Sequence, residues 1–65
     1  MDIFAIMIAP EAEIPFLYPE AFRTREDAEQ GIKDLFVTAQ PRADGSWKDA
    51  DYTFYYIQIL EVNFL

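Results

Sequence analysis

The chain's side-chain chemistry is that of carboxylates. It has 12 Asp and Glu residues, no histidine and no cysteine. A Ser- or Cys-based nucleophile needs a neighbouring base, usually histidine. Ser46 is the sole serine and has no such base to call on. A pair of carboxylates can do acid–base work, but only in a cleft that shifts their proton affinities. The acids here fall on expected loops and on the outer side of an expected helix, where a solvated charged face is the simpler reading. Asp44, Asp49 and Asp51 are spaced too irregularly for a calcium loop. Gly45 follows Asp44 directly, and Ser46-Trp47-Lys48 interrupt the run. A zinc or copper site of the usual kind is not expected without His or Cys. Gly31 and Gly45, the two glycines, make no phosphate-cradling loop. No catalytic residue, metal site or cofactor is therefore expected.

Two features remain. The first is the spread of acids, with Glu26, Glu29 and Asp34 on the helix and Asp44, Asp49 and Asp51 after it. Acids dispersed in this way can imitate a row of phosphates toward a protein that binds nucleic acid. The net charge of −7 on 65 residues points the same way. It repels DNA, RNA and anionic lipid and attracts a basic protein surface. A negative charge also keeps a small apolar domain in solution. The second feature is an excess of apolar contact residues outside the main core: Met7, Trp47, Phe54 and Tyr56. Aromatic side chains of this kind are frequent in binding hot spots, and burial in a second, smaller core is the alternative.

The elements that would hold these residues are few. The length allows one domain spanning residues 1–65. Hydrophobic residues make up 52% of it, too many for a disordered tail. So small a domain needs support beyond its own core. Without cysteine or a metal, that support is partner binding or self-association. Met1 leads directly into Asp2-Ile3-Phe4 without a basic segment, so no signal peptide is expected. The apolar run Ile3 to Ala9 is too short to span a bilayer. A cytoplasmic location follows as an expectation, host cytoplasm if the chain is phage-encoded.

Asp2 to Ala9 reads as a central strand whose bulky even positions, Phe4, Ile6 and Ile8, face the core. Phe16 to Phe22 reads as an edge strand, because Pro19 cannot donate to a ladder. Phe16, Tyr18, Glu20 and Phe22 share one of its faces. Thr24 caps a helix whose first turn carries Glu26 and Asp27. Ala28, Gly31, Ile32, Leu35, Phe36 and Ala39 lie along its inner face. Arg25–Glu29 and Glu29–Lys33 have the spacing of ion pairs. Gly31 marks close approach to the sheet. Pro41 stops the helix, and residues 41–51 form a loop with a turn at Asp44-Gly45.

Tyr52 to Phe64 is the last strand. A bulge near Ile59–Leu60 would gather Tyr55, Ile57, Ile59, Leu60, Val62 and Phe64 on one face. The other face would carry Phe54, Tyr56, Gln58, Glu61 and Asn63. Without the bulge both faces are apolar, as in a dimer. The expected fold is α+β, a β-β-α-β domain. Its three-stranded antiparallel sheet has the order 2-1-3, with one helix packed on one face.

The Thr24-Arg25-Glu26-Asp27-Ala28 junction looks like one found in many small β-β-α-β proteins of phage and bacteria, and its capping chemistry accounts for it without shared ancestry. In size, acidity and lack of cysteine, the chain resembles in type the phage-encoded inhibitors of host defence, anti-CRISPR and anti-restriction proteins among them. That resemblance implies a stoichiometric inhibitor that binds a host protein with a basic surface and does not bind nucleic acid or membrane directly. The alternative is a structural homodimer joined through the open face of the sheet.

Overall fold

The computed structural model describes residues 1–63. The elements run β1 (Asp2–Ala9), β2 (Phe16–Phe22), α1 (Arg25–Leu35), β3 (Gln40–Pro41), β4 (Trp47–Lys48) and β5 (Phe54–Glu61). The class is α+β, with one helix and an antiparallel sheet. The sheet has five strands in the order β2-β1-β5-β4-β3, not three. The expected arrangement survives inside it, with β1 between β2 and the last long strand. The addition is the hairpin β3–β4, which occupies what reads as a loop. Gln40 pairs with Lys48 and Pro41 with Trp47. The Ser46 carbonyl accepts from the Arg42 N–H at 2.8 Å. Gly45 takes a positive φ of 87° at the turn, where a side chain would be strained.

β1 is central because its side chains suit two faces. Ile6 and Ile8 are buried under the helix, together with Ile32, Ala39, Trp47 and Tyr55. Tyr18, Phe22, Phe36 and Ile57 pack around them. Phe36 stacks on Tyr55 at 4.4 Å between ring centroids and meets Tyr18 edge-on at 5.9 Å. Such pairs contribute about 0.5–1.5 kcal/mol each beyond area burial.

A bulge is present, but not where the sequence suggests. β1 and β5 pair without interruption from Asp2↔Glu61 to Ala9↔Phe54. Leu60 therefore stays on the face away from the helix, beside Ile3, and Glu61 stays on the helix side. Phe64 lies outside the described residues. The irregularity sits in β2. Ala5 pairs with Ala21 and Met7 with Leu17, so Tyr18, Pro19 and Glu20 stand opposite Ile6 alone. Pro19 lies at the centre of this bulge, a position in a sheet that tolerates proline. The excess of two residues preserves side-chain parity, which lets Tyr18 and Phe22 both reach the core.

The helix begins as the sequence requires. The Asp27 N–H donates to Thr24 Oγ1 at 3.1 Å. Thr24→Ala removes that acceptor and is expected to lower stability by about 1 kcal/mol. Thermal melting followed by circular dichroism checks it, and an unchanged midpoint would show that the cap does not hold the helix. Gly31 approaches β2 so closely that a Cβ there would lie 2.6 Å from Phe22 Cζ. The far end diverges from expectation. The helix stops at Leu35, which is exposed, and Ala39 is buried from beyond it. The chain turns out at Phe36, whose φ of −121° and ψ of 64° are not helical. That break ends the helix before Ala39, which reaches the core from the connection that follows. Neither Arg25–Glu29 nor Glu29–Lys33 forms an ion pair. Arg25 lies over the Phe4 ring at 5.9 Å instead, and the one ion pair among the described residues is Arg42–Asp44, at 3.8 Å. No helix among these residues is long and apolar enough to cross a membrane.

Candidate functional site

The structure separates the two sets of candidate residues. The helical acids lie on the outer side of α1, and Met7, Phe54 and Tyr56 lie on the opposite face of the sheet.

Glu26 and Asp34 are exposed, and Glu29 is half-buried. Asp34 accepts from Gln30 Nε2 at 2.9 Å, one turn back on the same helix. Glu29 borders a shallow groove with Pro41, Arg42, Ser46 and Trp47. The acids after the helix work locally. Asp44 accepts from the Ser46 N–H at 2.9 Å and from its hydroxyl, which bends the β3–β4 turn. The Ser46 hydroxyl, then its N–H, and the nearby Arg42 hold the Asp44 carboxyl below its ordinary range despite some desolvation. Asp49 accepts from the Thr38 hydroxyl, with both oxygens at 2.8 Å, and from the Ala50 N–H at 2.8 Å. Its second oxygen lies 3.5 Å from the Tyr55 hydroxyl. Burial first, and then the negative charge of Asp49, push the Tyr55 hydroxyl above the usual tyrosine range. Asp51 accepts from the Thr53 N–H at 3.1 Å. Asp44, Asp49 and Asp51 thus fasten turns. Among the described residues no group of acids converges on a point where a cation would sit.

The apolar set divides. Met7 pairs with Tyr56, and Ala9 with Phe54. The Phe54 and Tyr56 rings stack at 6.4 Å with their planes 22° apart. Leu17, across from Met7 on β2, is exposed and extends the strip. Trp47 does not belong to it. Trp47 pairs with Tyr55 on the helix side and is 9% exposed, which makes it a core residue with little surface to offer a partner. Arg42 and Lys48 join this site although their spacing in the sequence gives no sign of it. Lys48 pairs with Phe54, and the Arg42 guanidinium lies 5.0 Å over the Phe54 ring. Both depend on the hairpin, which leaves no periodic trace in two-residue strands. Leu17 was legible, since it follows from pairing β2 against Met7.

These contacts decide the electrostatics. Three of the five basic side chains lie over aromatic rings: Arg25 over Phe4, Arg42 over Phe54, and Lys48 over Tyr52 at 4.1 Å. Arg42 also reaches Asp44, but no other acid has a basic partner among the described residues. On the helix side, α1 carries Glu26, Asp27, Glu29 and Asp34 against Arg25 and Lys33, with no ion pair among them. The open face of the sheet is apolar, with cations at its hairpin end.

The chain matches no protein-family model, and it finds no match among curated proteins or solved structures.

Proposed function

We propose that this chain is a stoichiometric protein-binding module whose acidic helix layer covers a basic, nucleic-acid-binding surface of another protein. It acts by occupying that surface and carries out no reaction. The single observation behind this reading is that, among the described residues, no acid of α1 is held in an ion pair. Arg25 and Lys33 share the helix but pair with none of its carboxylates, and Glu26 and Asp34 are exposed, with Glu29 half-buried between them. The field of these acids speeds encounter with a basic partner. The turn acids Asp44, Asp49 and Asp51 play a secondary part, since their oxygens already hold the chain's own hydrogen bonds.

The test replaces Glu26 and Glu29 by Gln and Asp34 by Asn together. Folding is expected to stay nearly intact. The association rate with a captured partner is expected to fall by about tenfold or more, within the range that steering supplies. Raising salt should weaken the wild-type complex in parallel. A DNA oligonucleotide should compete with the chain for the partner. Biosensor kinetics read all three. An unchanged association rate in the triple variant, or a partner indifferent to the oligonucleotide, would overturn the proposal.

A further inference from the structure

Among the described residues the sheet has three stretches of uncovered edge, and one of them lacks protection. The outer edge of β2 carries Pro19 and the bulge around it. The outer edge of β3 carries Pro41. Prolines and bulges are the usual devices that keep a strand edge from pairing. The third stretch is on β5. β4 covers β5 only at Phe54 and Tyr55. Among the described residues, nothing pairs with the same edge from Tyr56 to Glu61. That stretch has no proline and no bulge, and its first charge is Glu61.

The direction of the backbone groups follows from two hydrogen bonds. The Val62 N–H donates to the Met1 carbonyl at 2.8 Å, so Val62 points toward β1. On the other side, the Asp49 N–H donates to the Thr53 carbonyl at 2.8 Å, so Thr53 points toward β4. Alternation along the strand sets the rest. Tyr56, Gln58 and Leu60 bond to β1, while Ile57, Ile59 and Glu61 turn their N–H and C=O groups outward. Ile59 is also 48% exposed on the helix side, beyond the reach of α1.

We infer that a second copy of this chain pairs with the uncovered edge of β5, antiparallel and centred on Ile59, and continues the sheet across a two-fold axis. Three observations select this occupant. The other edges of the chain are blunted by proline, so β5 is the strand that a second copy has to offer. The register is fixed by the groups available. With Ile59 opposite itself and Ile57 opposite Glu61 of the other copy, every outward N–H and C=O of the three residues finds a partner. β4 of each copy begins just beyond the paired stretch. The edge is also uncharged from Phe54 to Leu60, which keeps most of each copy's carboxylates away from the seam. This pairing is independent of what the acidic helix binds.

Sedimentation over a concentration series, with amide exchange followed by NMR, tests the pairing. The mass is expected to rise from monomer to dimer. The amides of Ile57, Ile59 and Glu61 should gain protection with it, while those of Tyr56, Gln58 and Leu60 are protected throughout. Raising salt should tighten the dimer by screening the −7 charge on each copy, opposite to its effect on the acidic complex. Ile59→Pro removes an N–H that points outward, so it costs no bond to β1 and should give a folded monomer. Ile59→Lys should do the same, and it decides the matter if the proline variant fails to fold. Tyr56→Asp, on the open face, should leave the dimer in place.

Persistence of the monomer at millimolar concentration would overturn the inference. So would a dimer whose outward amides exchange freely. Loss of the dimer in Tyr56→Asp but not in Ile59→Lys would place the contact on the sheet face. Protection that comes only with a different protein would make the occupant a foreign strand.

Discussion

Ile32→Ala is expected to lower stability by about 2–5 kcal/mol, the range for truncating a buried isoleucine. Ile32 is fully buried, and with Ile6 it is the largest side chain so enclosed. It joins α1 to the sheet in the buried cluster with Ile6, Ile8, Trp47 and Tyr55. A chain this short has a total stability of about 3–10 kcal/mol at the usual value per residue. The variant should therefore lose a large share of its stability and melt well below the wild type. Urea denaturation followed by Trp47 fluorescence measures the change, provided the transition is two-state. A loss below about 1 kcal/mol would mean that the helix does not seat on the sheet through this residue.

Trp47→Ala is the second large effect, about 3–5 kcal/mol. It separates two roles for the same ring. A contact residue could be truncated with little change in the melting temperature and a large loss of binding. Trp47 is instead expected to behave as the anchor of the β3–β4 hairpin. Its ring is buried against the helix-side core, and it pairs with Tyr55. Losing it should also free the Asp49 amide, which is bonded to the Thr53 carbonyl at the base of the β4–β5 connection. Circular dichroism melting with amide exchange at Asp49 distinguishes the outcomes. An unchanged midpoint with lost partner binding would return Trp47 to the contact surface.

Local chemistry was the most legible part of the fold. Thr24 announces the helix because a hydroxyl at that point can satisfy a free backbone donor, and no tertiary contact is needed to see it. The limits of β1 and β2 follow from apolar runs ended by Pro10 and by the Arg23-Thr24 junction. The hairpin was hidden because two-residue strands have no period to detect, and Pro41 reads as a strand breaker although an edge position tolerates it. The last strand misled for a different reason. Its large residues change parity at Ile59–Leu60, which suggests a bulge that would keep them on one face, yet Ile59 remains exposed on the helix side and Leu60 half-buried on the other. The helix is too short to cover that end. Among the candidate site residues, the helical acids and the Met7–Phe54–Tyr56 strip could be read from spacing. The hydrogen bonds that commit Asp44, Asp49 and Asp51 to turns could not, because they depend on Ser46, Thr38 and Thr53 being brought beside them.

The pairing of β1 with β5 also has a kinetic meaning. It links residues at the two ends of the described chain, as the bonds between Met1 and Val62 show. Closing so long a loop carries an entropic penalty before any contact compensates for it. The hairpins β1–β2 and β3–β4 and the capped helix can each start locally, but the central seam of the sheet cannot. Until residues 54–61 arrive, β1 has a bare apolar edge on one side and only the irregular, proline-containing β2 on the other. Folding then waits on its most distant contact, which slows it relative to a chain of local contacts. During that interval the exposed strand of the nascent chain is the one most open to capture by a chaperone or by another copy.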